Sequence, residues 1–144
     1  MQIPDDVFDK IEDLSEQGNE AMDNEQYSLA IDIFMRAYKL LPEPKDRWEA
    51  YIWLQASIGD AYFQEKEYEI SIKYFQDIFN SGEVEDPFVM LRLGQNYYSL
   101  KEYELAKEFL LRAYQLDGIT IFEEDMSFYN WLSQNVNLSS KQMN

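Results

Sequence analysis

A glycine recurs three times along this chain, and each copy is followed by an aromatic and a small residue in the same order. Gly59 follows Gly18 by 41 positions, and Gly94 follows Gly59 by 35. The three sets are Gly18 with Tyr27, Ala30 and Phe34; Gly59 with Tyr68, Ser71 and Phe75; and Gly94 with Tyr103, Ala106 and Leu110. A period close to 34 residues predicts stacked two-helix units, each of which buries its apolar side against a neighbour. Such a stack builds a surface for binding.

Apolar residues spaced at i, i+3 and i+4 predict two amphipathic helices in each unit. The predicted boundaries are about 11–44 for repeat 1, 46–82 for repeat 2 and 86–118 for repeat 3, followed by a capping helix at about 123–137. Asp46 is the expected N-cap of repeat 2, with Glu49 as its reciprocal partner, and Asp86-Pro87 is expected to begin repeat 3. Residues 119–122 are expected to be a short apolar connector. The chain is thus predicted to be a single all-α domain, residues 1–144, of about seven helices.

These residues resemble the tetratricopeptide repeat, which sets a small residue of the first helix against an aromatic and two small residues of the second. With copies beginning at Ile11, Ile52 and Pro87, the eighth position is glycine each time. Ile78 departs from the pattern, and so does the absence of a proline after copies two and three. The resemblance implies an α-solenoid of three helix pairs plus a C-terminal capping helix, acting as a protein-binding module with no catalytic residues.

In such stacks the first helix of each pair lines the concave face. The resemblance therefore implies a groove that is acidic at one end and aromatic at the other. The residues expected to contact a partner there are Glu12, Glu16, Asn19, Asp23, Trp53, Ser57, Asp60, Phe63, Phe88, Arg92, Gln95 and Tyr98. Two alternatives stay open: that the aromatic residues pack between helix pairs, and that the acids form a solvated face.

The charge is strongly negative and unevenly spread. There are 28 acidic and 12 basic residues, a net charge of −16, and residues 1–25 carry nine acids against Lys10. A field of this sign repels phosphate backbones and anionic lipid headgroups, so we expect neither nucleic acid nor a membrane as a partner. It attracts a basic protein. The alternative is that the acidity serves only solubility.

Several kinds of chemistry lack their usual residues. The chain has no histidine and no cysteine, so the commonest general base and the thiolate and imidazole metal ligands are missing. Glu123, Glu124 and Asp125 lack the spacing and central glycine of a calcium loop. We therefore expect no enzyme activity, no cofactor and no metal. With no basic and apolar leader at Met1–Asp6 and no long apolar stretch, we expect a cytoplasmic protein.

The whole chain also looks like small bacterial tetratricopeptide proteins that serve as immunity proteins for secreted toxins, including its ending from Leu116 to Trp131 and Leu132. That resemblance implies an acidic inhibitor, a monomer or weak dimer, that binds a basic toxin enzyme and occludes its active site. A second resemblance, to type III secretion chaperones, implies instead a groove that holds an extended client segment. A general adaptor that tethers two proteins is the third possibility.

Overall fold

The computed structural model describes residues 2–82 and 85–138, and the regular secondary structure of these residues is helical, without a strand. Seven α-helices follow one another: α1 (Asp5–Asp23), α2 (Tyr27–Lys39), α3 (Glu49–Gln64), α4 (Tyr68–Asn80), α5 (Pro87–Ser99), α6 (Tyr103–Asp117) and α7 (Met126–Asn135). Two short 3-10 helices, Lys45–Arg47 and Gly118–Phe122, precede α3 and α7. The predicted all-α class and the seven helices are confirmed for this part of the chain. The polar sequence of residues 138–144 predicts a frayed end, and residues 139–144 lie outside the described residues.

The helices group into two compact units, Met1–Ser81 and Gly82–Asn144. In the first unit, α1 pairs with α2 and α3 pairs with α4, and α2 also packs against α3. The core of this unit is apolar and draws on α1, α2 and α3 through fully buried residues that include Ile11, Phe34, Leu54 and Ile58. In the second unit α5 pairs with α6, and α7 packs against α6.

Each glycine of the repeat lies in close contact with the second helix of its pair. A β-carbon built on Gly59 would meet Cε2 of Phe75 at 2.8 Å, and one built on Gly94 would meet Leu110 Cδ2 at 2.6 Å. Gly18 faces the Phe34 ring in the same way. Since real β-carbons do not approach other atoms this closely, only glycine fits these positions without displacing the residue opposite. The steric reason for the repeated glycine is therefore the same in all three pairs.

The turn inside each helix pair also repeats. Glu25, Lys66 and Lys101 have φ values of 59°, 64° and 64°, the left-handed conformation that glycine usually supplies after a helix. The next residue closes each turn with a backbone hydrogen bond, as in Glu67 N–H to the Tyr62 carbonyl at 2.9 Å. The polar segments at residues 23–26 and 66–67 predict the first two of these turns from the sequence.

The beginning of repeat 2 differs from the prediction. Helix α3 begins at Glu49 with Trp48 at its N-cap and without a side-chain cap, so the expected Asp46–Glu49 capping box is wrong. Asp46 instead lies in the first 3-10 helix. The indole N–H of Trp48 donates to the Pro42 carbonyl at 2.8 Å. This hydrogen bond fixes the path of the linker between α2 and α3.

The second unit follows its sequence signals more closely. The Asp86 carboxylate accepts hydrogen bonds from the backbone N–H groups of Phe88 and Val89, and Pro87 is the first helical residue, as predicted. Gly118, at φ 72°, ends α6. The segment expected to be a plain connector is a 3-10 helix that buries Phe122 and packs against α5, α6 and α7. Asp125 caps α7 through the Ser127 N–H.

Candidate protein-binding surfaces

One side of α1 is an exposed polar face. Glu12, Glu16, Asn19 and Asp23 are all exposed and follow helical spacing. A separate side of this helix carries its buried residues, Ile11, Ser15, Gly18 and Ala21. Since α1 begins at Asp5, ahead of the predicted Ile11, the acids near the chain start also lie on the helix or next to it. The structure thus brings the four predicted α1 residues onto one face; their contact with a partner stays a prediction.

The four predicted residues of α3 differ in their exposure. Trp53 is 37% exposed, whereas Ser57, Asp60 and Phe63 are half-buried. The Gln64 side-chain amide donates to Asp60 at 3.4 Å, and the Phe63 ring meets the Tyr68 ring edge to face with centroids 6.1 Å apart. Phe63 therefore packs against the first residue of α4, and Trp53 is the most accessible of the four.

Two of the predicted α5 residues are interior. Arg92 is 3% exposed and Gln95 is 4% exposed. The Arg92 guanidinium donates to the Gln95 side-chain oxygen at 2.7 Å, lies 4.7 Å from the centroid of the Phe88 ring, and pairs with Glu124 at 3.4 Å. The expectation that Arg92 and Gln95 face a groove is wrong, because both side chains are buried and the Arg92 guanidinium binds Gln95 and Glu124 of the same unit. Glu124 pairs with this arginine, and Asp125 caps α7.

Tyr98, the fourth predicted residue of α5, lies in an aromatic cluster with the capping helix. Its ring meets the rings of Tyr103, Phe128 and Trp131 edge to face, with centroids between 5.0 and 5.5 Å apart. Edge-to-face pairs add to the stability that burial provides. Tyr98 therefore helps to hold α7 in place, and it remains half-buried.

The first unit contains a cleft that helical periodicity did not predict. Its volume is about 420 Å³, and it lies among α2, α3 and α4. Tyr38, Tyr51 and Tyr74 line it together with Asp77. The Tyr38 and Tyr51 ring centroids are 6.1 Å apart, and the Tyr74 hydroxyl reaches the Met35 sulfur at 3.9 Å. We call this site the tyrosine cleft.

The hydroxyl groups of the tyrosine cleft resist ionisation. Burial raises the pKa of Tyr38, Tyr51 and Tyr74 above the ordinary tyrosine value, and the Asp77 carboxylate raises all three further. For Tyr38, Glu43 and Asp46 add to the effect. The three phenols are therefore neutral near neutral pH and lie in a negative potential.

Two negative findings apply to residues 2–82 and 85–138. None of their helices has both the length and the apolar character that a membrane crossing requires. Their acidic side chains form no group of three or more placed to hold a metal ion.

Residues 89–119 match the family model of the tetratricopeptide repeat. The match runs from the first turn of α5 through α6 into the second 3-10 helix, and so covers the third helix pair. No curated protein matches the chain. The match supports a tetratricopeptide repeat protein, and repeats of this family generally mediate protein–protein interaction.

Proposed function

We propose that this chain is an acidic protein-binding module that inhibits a basic enzyme, most specifically an immunity protein that occludes the active site of its toxin. The observation that carries the proposal is the exposed α1 face of Glu12, Glu16, Asn19 and Asp23 on a chain of net charge −16. Opposite charge speeds the capture of a partner, which matters for an inhibitor that must act before its target does.

Aromatic contacts would then hold the captured partner. Trp53 is the accessible anchor on α3, and large aromatic side chains contribute strongly when they become buried in an interface. Charge sets mainly the rate of association, whereas anchors set mainly the rate of release. We therefore assign capture to Glu16, Asp23 and Asp60, and retention to Trp53 and Phe63 of the first unit and to Phe88 of the second.

The test begins with the tagged full chain used to capture partners from its own organism at low salt. We expect one basic, folded enzyme domain, identified by mass spectrometry, whose activity falls to the background level when an equimolar amount of this chain is added. Capture of an unfolded secreted segment would replace the inhibitor with a secretion chaperone. A set of unrelated folded partners would replace it with an adaptor.

Matched variants locate the surface. Combining Glu16→Gln with Asp23→Asn should slow association with the captured enzyme and flatten its salt dependence. The control combines Asp6→Asn with Asp13→Asn, the same charge change at exposed α1 positions outside the predicted face. Equal effects from both pairs would show that only net charge matters.

Trp53→Ala tests the anchor, with Leu29→Ala as a control because Leu29 is an exposed apolar residue of α2. Only the tryptophan variant should speed release of the partner. If alanine at Trp53, Phe63 and Phe88 together leaves the affinity unchanged in a folded protein, these residues are not the contact surface.

A further inference from the structure

We propose that the tyrosine cleft is a second contact site, on α2, α3 and α4, that takes an arginine side chain from the basic partner. The residues that carry the inference are Tyr38, Tyr51, Tyr74 and Asp77, which line one cleft of about 420 Å³ within the first unit. This volume falls within the roughly 300–1,000 Å³ typical of ligand pockets. The partner rests on the proposed function, whereas the chemistry of the cleft can be tested without it.

The walls suit a guanidinium group. Aromatic rings attract cations through their negative faces, and the planar guanidinium also stacks on them. The chain already uses one of these rings in this way, because the Lys45 ammonium lies 5.5 Å from the centroid of the Tyr38 ring. The Lys45 ammonium also donates to the carbonyl oxygen of Leu41 at 2.6 Å, and Lys45 is not among the residues that line the cleft.

The charged residues of the cleft also favour the binding of a cation. The Asp77 carboxylate is exposed, and it acts on all three tyrosines of the cleft, since it raises the pKa of each. Lys73 is the one basic residue among those that line the cleft. It lies one turn before Asp77 on α4, where it competes with any incoming cation for that carboxylate. Replacing Lys73 should therefore strengthen binding, whereas replacing Asp77 should weaken it.

The test uses a small probe and the full chain. N-acetyl-arginine amide is titrated into tyrosine-labelled protein at low ionic strength, with N-acetyl-citrulline amide as the neutral isostere, and ring signals are followed by NMR. We expect saturable shifts of Tyr51 and Tyr74 with the arginine compound only. Asp77→Asn should weaken the affinity by about two- to fivefold. Lys73→Gln should raise the affinity.

The control variant is Asp9→Asn, which makes the same charge change on α1 at an exposed residue that does not line the cleft. It should leave the affinity close to that of the parent chain. Equal shifts with citrulline, or equal losses in Asp9→Asn and Asp77→Asn, would overturn the cleft as a cation site.

The two proposals fail separately. If the cleft binds the arginine compound but the chain captures no basic protein, the proposed function is contradicted. The cleft would still be a binding site for an arginine side chain. Capture of a basic enzyme whose affinity is the same for the parent chain, Asp77→Asn and Lys73→Gln would remove the cleft from the interface and leave the inhibitor proposal intact.

Discussion

The Ser71 hydroxyl donates a hydrogen bond to the carbonyl oxygen of Gly59 at 2.8 Å, and so joins α4 to α3. Ser71 is 0% exposed. The corresponding residues of the other two helix pairs, Ala30 and Ala106, are equally buried but have no hydroxyl. The second helix pair therefore has a hydrogen bond between its helices at this position. The alanines of the other two pairs provide only a small side chain there.

Replacing this hydroxyl should cost little, because the two alanines show that the position accepts a methyl group. We expect Ser71→Ala to lower the free energy of unfolding by about 1 kcal/mol, the usual net contribution of a buried hydrogen bond. Urea unfolding monitored by circular dichroism measures the change. A stabilised Ser71→Ala protein would mean that the hydrogen bond does not offset the burial of the hydroxyl.

Gly59→Ala should be more damaging, because the new β-carbon would lie 2.8 Å from the Phe75 ring. We expect a loss of roughly 1–3 kcal/mol in the free energy of unfolding, reduced by alanine's better helix propensity. Gly82→Ala is the control, since a β-carbon there meets nothing within 4 Å. In a double-mutant cycle, Phe75→Val should cost less in the Gly59→Ala background than in the parent chain. Additive effects would contradict the predicted clash.

Glycine substitutions in the left-handed turns should stabilise the protein. Lys66 and Lys101 each have a φ of 64°, a conformation that costs side-chain-bearing residues roughly 1–2 kcal/mol. Since glycine avoids this strain but loses more chain entropy on folding, Lys66→Gly or Lys101→Gly should stabilise by up to about 1 kcal/mol. Thermal unfolding reports the difference. Lys10→Gly, the same replacement at an exposed position inside α1, should instead destabilise the protein.

Arg92 should contribute more to the stability of the second unit than Glu124, its ion-pair partner, does. Arg92→Gln removes the donor to Gln95 and the contact with the Phe88 ring, and we expect a loss of about 1–3 kcal/mol. Glu124→Gln should cost under about 1 kcal/mol, because the Glu124 side chain is 78% exposed. Chemical unfolding of the two variants compares them. Equal losses would mean that the ion pair, and not the burial, fixes Arg92.

Alkaline pH should destabilise the fold through its buried tyrosines. Burial raises the folded-state pKa of Tyr38, Tyr51, Tyr74 and Tyr97 above the unfolded value of about 10. Above that pH the unfolded chain releases protons that the folded chain retains, so stability is intact below pH 10 and falls as the pH rises further.

Urea unfolding between pH 8 and pH 11 tests this expectation for Tyr97, which stacks on Phe109 with ring centroids 5.6 Å apart. Tyr97→Phe should reduce the loss of stability at high pH. Tyr103→Phe, at a residue 44% exposed, controls for removal of a hydroxyl. If the free energy of unfolding falls with pH at the same rate in the parent chain and both variants, ionisation of Tyr97 does not cause the loss of stability.

Local signals were enough for much of the fold. Gly18, Gly59 and Gly94 marked the close approaches of paired helices, since a side chain opposite a glycine can fill the space that its missing β-carbon leaves. Asp86-Pro87 fixed the beginning of α5 because a cap and a preset φ act within a few residues. The Asp46–Glu49 prediction failed because the linker follows a path set by Trp48 and Pro42, which no capping pattern encodes.

The sequence by itself determined the repeat, the helix order and the exposed α1 face, because helical periodicity sorts each residue to one side of its own helix. Tertiary structure alone decided that Arg92 and Gln95 are interior, and that Tyr38, Tyr51 and Tyr74 from three helices meet around one cleft. The physical reason is that burial and pocket formation depend on which neighbouring element covers a face. That covering is a property of packed helices, whereas periodicity describes one helix at a time.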